Sequence, residues 1–318
     1  MMKLKKFKLS ILFGILLLII ILIGCTNTNK EVLNIDYRSG TDSITMSFVK
    51  GLPPEKIFVG ETFTLGIDLE NKGASDIIGG IIILSGYESK QFNFPEGNAK
   101  NFELKGKSQY QSTGEKAPIT FQITSLCYPE MASNELNSAK ISLRATACYS
   151  YSTTSPATVC IDTNQLSSSS VQEKICDASK TIAISGGQGG PIEITKIEPT
   201  MIPIEGGVKA RFAIYLKNSN SKGLVYSSTA VGSHCEDPTL SNKVSVNVEL
   251  SGMKMSCNVD ELKLVMGRDT PIYCEKLLND LGGVYEANMV ITTSYAYSQD
   301  VSREITISKP SGVTFENC

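Results

Sequence analysis

The amino-acid sequence predicts an all-β protein made of two tandem modules that follow an N-terminal membrane signal or anchor. Three observations support this prediction. The chain begins with a basic and then apolar segment, apolar and polar residues alternate along many stretches after residue 40, and parts of the first half recur in the second half. Alternation with a period of two places one face of a strand on a core and the other in water, as in antiparallel sheets.

Residues 1–25 are predicted to be a signal or anchor segment. The first eight contain four lysines and no acid, and the stretch from Leu9 to Cys25 is uncharged. A basic segment followed by an apolar one is typical of export signals. The apolar stretch is shorter than the roughly 20 residues that span a bilayer comfortably. We therefore expect residues 26–318 to be exported, with residues 26–41 forming a short tether.

The end of this segment, Leu22-Ile23-Gly24-Cys25, resembles a lipobox, in which small residues precede a cysteine that is lipidated and becomes the new N-terminus. The resemblance implies that Cys25 is a lipidation site and that the protein is a lipoprotein on the outer face of the cytoplasmic membrane. Two alternatives remain, an uncleaved anchor helix and a plain cleaved signal. Because one acyl chain binds membranes weakly, durable attachment predicts several acyl chains or retention of the whole segment.

A repeat at an offset of 146 or 147 residues predicts two copies of one module. Residues 59–71 match residues 206–218, and both stretches alternate as strands do. Repeats of this kind indicate duplicated structural units. We predict modules over 42–186 and 191–308, with a tail at 309–318. Three further landmarks follow in order: 102–106 match 248–252, Cys127 matches Cys274, and 148–152 match 294–298.

Each module contains about seven strand-like runs separated by turn residues, the number expected of an immunoglobulin-like sandwich. The stretch from Gly51-Leu52-Pro53-Pro54 to Asn71-Lys72-Gly73 resembles the opening of adhesion-type (CARDB-type) immunoglobulin-like domains of archaeal and bacterial envelope proteins. The resemblance implies two tandem immunoglobulin-like β-sandwiches. The Cys…Trp…Cys core of antibody domains is missing, because the chain has no Trp. Helical signals are confined to 170–176 and 275–281.

The glycine-rich stretch from Ser185 to Pro191 lies between the two modules. A phosphate-binding loop would need a following helix and usually a Gly-Lys-Ser/Thr sequence, whereas Pro191 leads into another strand-like run. We therefore predict that residues 187–190 form a hinge that sets the angle between the modules.

The cysteines are expected to form structural disulfides. Without Cys25, eight remain, four in each module. If residues 141–151 and 157–161 form a hairpin, Cys148 lies opposite Cys160, within reach of a disulfide. That pairing leaves Cys127 to bond Cys176.

In the second module, Cys257 and Cys274 bracket a turn-containing segment and are expected to pair, which leaves Cys235 for Cys318. Metal binding is disfavoured because the chain has no Cys-x-x-Cys motif, and His234, its only histidine, lacks ligand spacing. Abundant structural disulfides would indicate an oxidising, extracytoplasmic compartment.

Composition narrows the function classes. A net charge of −2 and a pI of about 5.7 argue against binding nucleic acid. One histidine leaves little scope for nucleophile–base catalysis, and no recurring acid pair or calcium motif is present. We therefore expect no enzyme activity and no cofactor. The paired tyrosines, Tyr149/Tyr151 and Tyr295/Tyr297, are in register with inward residues and are expected in the core, with a sugar-stacking platform as the alternative.

Two function classes remain, and a hydrolase with an unrecognised acid pair is a third option behind them. The first is a non-enzymatic cell-surface protein whose modules are tethered to the membrane and present loops or sheet edges to a protein or glycan partner. The second is a sugar- or solute-binding accessory lipoprotein that delivers ligand to a membrane complex. Exposed aromatic residues on one sheet face would favour sugar binding, and a long exposed edge strand would favour pairing with a peptide strand.

Overall fold

The computed structural model describes residues 37–127, 131, 136–163, 175–230, 235–279 and 283–310. These residues are almost entirely β-structure, which confirms the predicted all-β class, with one 3-10 turn at Pro238–Leu240. In chain order the strands are β1 (Ile44–Phe48), β2 (Lys56–Phe58), β3 (Thr62–Asn71), β4 (Ile77–Ser85), β5 (Phe92–Asn93), β6 (Ala99–Leu104), β7 (Lys116–Ser125), β8 (Ser138–Asp162), β9 (Ile182–Ala183), β10 (Ile192–Ile204), β11 (Gly207–Asn218), β12 (Gly223–Tyr226), β13 (Lys243–Leu250), β14 (Met253–Lys254), β15 (Ser256–Cys257), β16 (Glu261–Lys263), β17 (Thr270–Asn279) and β18 (Val284–Ser308).

Within the described residues, the strands form three sheets. The first sheet has the order β1-β3-β7-β5, and the second has the order β15-β17-β11-β10-β9. The central sheet has the order β14-β13-β18-β8-β4-β6, with β12 and β2 paired to β18 and β16 paired to β13. Buried apolar residues from all three sheets form one continuous core. Alternation of buried and exposed residues, seen in β3 and β11, is the local pattern that turns one face of each outer sheet toward this core.

The two repeats are joined through their longest strands. β8 belongs to the first repeat and β18 to the second, and they pair antiparallel over all 25 residues of each. Ser150 lies opposite Ala296, and these two residues are also equivalent in the sequence repeat. Each repeat therefore contributes the same strand to the contact, which is the arrangement of a two-fold symmetric, isologous interface.

The structure retains part of the sequence repeat and changes another part. β3 and β11 occupy equivalent positions, because each lies between an earlier strand and a later strand of the same repeat: β3 pairs with β1 and β7, and β11 pairs with β10 and β17. Leu65 of β3 pairs with Phe121, whereas the matching Phe212 of β11 pairs with Cys274. The structural counterpart of Cys274 is therefore Phe121. The predicted match between Cys127 and Cys274 is wrong, since Cys127 lies beyond the end of β7.

In place of the predicted hinge at 187–190, the structure has a packed segment. Gln188 is 5% exposed, and its side-chain amide bonds both the backbone NH and the backbone C=O of Ile194. The carbonyl of Gly189 accepts a hydrogen bond of 2.9 Å from the Tyr151 hydroxyl. Because these contacts are buried, the segment holds the repeats together. The glycines permit close approach of the backbone to its neighbours.

The end of the predicted tether is also packed against this segment. The backbone NH of Gly40 donates to the carbonyl of Gly186, and the NH of Gly189 donates to the carbonyl of Gly40. Residues 1–36, with the predicted signal and Cys25, lie outside the described residues, as do Cys318 and the rest of the tail from residue 311. In the portion of the chain that is described, no helix has the length and apolar character needed to cross a membrane.

Candidate functional site

The four paired tyrosines lie in the core between the repeats. Tyr149 is opposite Tyr297 and Tyr151 is opposite Tyr295 on β8 and β18, and none is more than 3% exposed. Their rings contact one another, with centroid separations from 6.1 to 6.4 Å. The prediction of a core position is confirmed, and these rings do not form a sugar-stacking platform.

Each hydroxyl of this tyrosine cluster has a hydrogen-bond partner, as buried polar groups require. Burial raises the pKa of all four hydroxyls above the usual value, because a phenolate loses its hydration inside the protein. The cluster therefore stays neutral and structural at physiological pH. The partners of Tyr149, Tyr151, Tyr295 and Tyr297 are Ser43 Oγ at 2.6 Å, Gly189 O at 2.9 Å, Thr153 Oγ1 at 2.7 Å and Asn220 O at 3.0 Å.

A disulfide joins the two repeats. Cys148 bonds Cys235, and the pair lies in a small apolar cluster separate from the main core. The predicted pairing of Cys148 with Cys160 is wrong because residues 141–161 form one continuous strand, not a hairpin. Twelve residues along a strand correspond to about 40 Å, far beyond disulfide reach. The predicted pairing of Cys235 with Cys318 is also wrong, because Cys235 is bonded to Cys148.

Two further disulfides between described residues lie within the repeats. Cys160 bonds Cys176, so the predicted pairing of Cys127 with Cys176 is also wrong, although Cys127 is itself disulfide-bonded. The predicted bond between Cys257 and Cys274 is confirmed, and it ties the short strand β15 to β17. Three disulfides among the described residues indicate an oxidising, extracytoplasmic environment.

The outer face of the second sheet carries an open groove of about 450 Å³. Alternation along β17 turns Ile272 and Cys274 inward and places Tyr273 and Glu275 on the outer face. The Tyr273 side chain is 46% exposed. The groove is lined by Arg211, Ser256, Cys257, Asn258, Tyr273, Cys274 and Glu275.

Cross-strand pairing arranges the groove. Tyr273 lies opposite Ala213 on β11, whose methyl group leaves room above the sheet beside the aromatic ring. The neighbouring pair is Arg211 and Glu275, joined by an ion pair of 3.2 Å between Nη2 and Oε2. On the other side, Asn258 Oδ1 accepts a hydrogen bond of 3.0 Å from the Tyr273 backbone NH. The groove thus combines one exposed ring with charged and amide groups.

A second polar cluster lies on the same sheet, on β10 and β11. The Glu198 carboxylate accepts hydrogen bonds from Lys196 Nζ at 2.6 Å and from the Tyr215 hydroxyl at 2.8 Å. These bonds lower the pKa of Glu198, and the carboxylate in turn raises the pKa of Lys196 and of Tyr215. Lys196 Nζ also lies 3.9 Å from the centre of the Tyr215 ring. Tyr215 is therefore already engaged, in contrast to Tyr273.

The matching face of the first repeat is different. Gly66 and Thr120 pair where the second repeat has Ala213 and Tyr273. A Cβ atom on Gly66 would lie 2.9 Å from Val49 Cγ2, so the Val49 side chain covers this position.

The chain path explains the difference between the two faces. β1 ends at Phe48, and the chain then turns so that β2 joins the central sheet. In contrast, β10 stays paired with β11 from Ile192 to Ile204, so the connection between these two strands lies at the end of the sheet and does not cross its outer face.

The sequence-based predictions did not include Tyr273, Arg211, Glu275 or Asn258. The alternation of residues 270–279 was the available signal, but the same stretch also suggested a helical turn at 275–281. Residues 275–279 belong to β17, so that helical prediction is wrong for them. Among the described residues, no group of three or more His, Cys, Asp or Glu side chains could hold a metal ion.

Comparisons with known proteins show low similarity. No family model and no curated protein matches the chain. AvmM, which catalyses macrocyclization in alchivemycin A biosynthesis, is 14% identical at a TM-score of 0.19, over 34% of this chain and 75% of its own. A DUF4466 family protein from Parabacteroides merdae is 9% identical at a TM-score of 0.15, over 80% of this chain and 99% of its own.

The CupB6 tip adhesin from Pseudomonas aeruginosa is 11% identical to this chain at a TM-score of 0.16, over 85% of this chain and 97% of its own. Scores at this level carry no argument about function.

Proposed function

We propose that the protein is a non-enzymatic binding protein that acts outside the cytoplasm and presents the outer face of its second sheet to a partner on the cell surface. The observation that carries the proposal is the contrast between the two outer faces. Tyr273 stands half exposed beside an ion pair in the second repeat, whereas Val49 covers the matching position in the first. Packing of the core requires neither the exposed ring nor the ion pair. Aromatic and arginine side chains are enriched where proteins bind partners.

The proposal assigns binding and no catalytic step to the groove. The lining residues provide one tyrosine, one ion pair and one amide. Ser256 is the only hydroxyl nucleophile apart from the tyrosine, and no histidine lies among the lining residues to activate it. The repeats below the groove share a core and a disulfide, so they form a rigid support for the binding face.

The proposal also places the protein on the outer face of the cytoplasmic membrane, held by lipid at Cys25 or by an uncleaved N-terminal helix. The lysines of residues 1–8 and the apolar stretch after them support this placement. Replacement Cys25→Ser separates the two means of attachment. Loss of lipid labelling and release of the chain from membranes is the result expected of lipidation, whereas unchanged retention would indicate the helix.

A photo-crosslinking amino acid at position 273, in cells that produce the protein, tests the binding face. The expected result is a specific crosslinked product at 273. The matched control is the same amino acid at position 110 in the first repeat, because Tyr110 is 90% exposed and lies away from the groove. Equal products at both positions, or none at 273, would contradict the proposal.

A further inference from the structure

The groove around Tyr273 has the features of a site for a polar ligand with one apolar face. An aromatic ring that is 46% exposed offers a flat apolar surface at the edge of the groove. Arg211, Glu275 and Asn258 offer charged or amide groups beside it. Ligand sites combine apolar surface with a small number of placed polar groups in this way.

The charged groups are arranged to bond neighbouring hydroxyls. Glu275 Oε2 lies 3.2 Å from Arg211 Nη2, and Glu275 Oε1 lies 3.6 Å from Lys209 Nζ. Arg211 and Glu275 remain 46% and 41% exposed, so both can bond a ligand. A carboxylate accepts hydrogen bonds and a guanidinium donates them, so the pair complements vicinal hydroxyl groups, which do both.

The Asn258 amide completes the polar rim of the groove. Its Oδ1 accepts from the Tyr273 backbone NH, and its own backbone NH donates to the Tyr273 carbonyl at 2.9 Å. These two bonds hold the residue beside the ring. Among the described residues, its amide NH2 has no hydrogen-bond partner and is placed to donate to a ligand.

The first repeat provides an internal comparison. Thr64 and Gln122 stand where the second repeat has Arg211 and Glu275, and Gln122 Nε2 donates to Thr64 Oγ1 at 3.0 Å. The first-repeat counterpart of Tyr273 is Thr120, which has no aromatic ring. The ring and the charge pair are therefore additions specific to the second repeat, on a backbone that both repeats share.

We propose that this groove binds a pyranose residue of a cell-surface glycan. The Tyr273 ring packs on the C–H face of the sugar, and Arg211, Glu275 and Asn258 bond its hydroxyls. The inference rests on the proposed binding function and names its ligand class. Nucleic acid fits poorly, because the chain has a net charge of −2 and Glu275 already pairs with both Arg211 and Lys209. A hydrophobic peptide would bury the exposed sides of the Arg211–Glu275 pair without replacing their bonds to water.

The test is a glycan array probed with the whole chain in detergent micelles, followed by calorimetric titration of the oligosaccharide that binds most strongly. We expect Tyr273→Ala to weaken binding about tenfold, from the loss of aromatic packing. We expect Arg211→Ala to weaken it by about tenfold or more, from the loss of charge-assisted hydrogen bonds. Tyr273→Phe keeps the ring and is expected to retain most of the affinity.

Tyr110→Ala is the matched control, since Tyr110 is exposed in the first repeat, and it should leave affinity unchanged. Unchanged thermal midpoints show that each variant is folded. Absence of glycan binding, or glycan binding that Tyr273→Ala leaves intact, would overturn the inference. If crosslinking at 273 then still yields a specific protein product, the proposed binding function stands and its partner is a protein. If crosslinking at 273 also fails, both the glycan inference and the proposed binding function are wrong.

Discussion

Tyr151 connects three parts of the molecule through a single hydroxyl. It donates to the carbonyl of Gly189 in the segment between the repeats and accepts a bond of 3.2 Å from the backbone NH of Ser75. Its ring packs against Tyr149 of the same strand and Tyr295 of the other repeat. Because a buried polar group left without a partner costs about 1–3 kcal/mol, this residue couples local order to the contact between repeats.

The tyrosine cluster makes stability sensitive to alkaline pH. Burial raises the folded-state pKa of each of the four hydroxyls above the usual 10.0, so the folded state holds protons that the unfolded state releases. The contribution of the four protonated hydroxyls to folding stability is fully present below about pH 10. It is lost as pH rises from there through their folded-state pKa. We expect tyrosinate absorbance and circular dichroism to change together in a steep alkaline transition. Gradual ionisation of all 12 tyrosines with native circular dichroism would contradict this.

The segment between the repeats acts as part of the core. Residues 188–190 are buried, and Gly189 has a φ of 72°, a conformation that favours glycine. Gly190 packs against the tyrosine cluster. A Cβ atom added there would lie 2.3 Å from Thr153 Oγ1 and 2.9 Å from Tyr151 Cε1. A glycine-rich sequence thus marks close packing here, whereas the sequence alone indicated flexibility.

Gly190→Ala is expected to destabilise the protein by about 1–3 kcal/mol, because the new methyl group overpacks the tyrosine cluster. Gly283→Ala is the matched control, since a Cβ atom at Gly283 has no neighbour within 4 Å. Urea unfolding of both variants measures the difference. A Gly190 variant as stable as the Gly283 variant would show that the segment yields easily, as a hinge would.

The whole molecule is organised around the contact between β8 and β18. Their pairing over 25 residues continues the central sheet from one repeat into the other. The core is continuous, and the Cys148–Cys235 bond adds a covalent link with a sequence separation of 87. Neither repeat can unfold without exposing the long strand of the other. The duplicated units therefore behave as one folding unit.

Calorimetry is expected to give a single unfolding transition, with equal calorimetric and van't Hoff enthalpies. Removing the link between the repeats, with Cys148→Ala and Cys235→Ala together, is expected to lower stability by about 4–5 kcal/mol and to preserve one transition. The control removes Cys257 and Cys274 in the same way; their separation is 17, and the expected loss is about 3 kcal/mol. Two separate transitions in the unaltered protein would contradict shared folding.

Local patterns explain which predictions succeeded. The strands β3 and β11 followed from alternation, and the inward position of the tyrosines followed from their register with apolar neighbours. The hairpin prediction failed because β8 continues through Pro156, which lies between the two runs 141–151 and 157–161. Pro156 is tolerated in β8 because, among the described strands, only β18 pairs with that part of β8, so its other edge has no ladder bond to lose.

The sequence by itself determined the all-β class, the duplication and, in regularly alternating strands such as β3 and β11, the face on which each residue lies. The class and the faces follow from backbone geometry over a few residues. Only the tertiary structure decided that equivalent strands pair with each other, that Cys148 meets Cys235, and that Tyr273 is left open while Val49 covers its counterpart. Those outcomes depend on contacts between residues far apart in the chain. A period of two specifies the face of a strand but does not specify its neighbour.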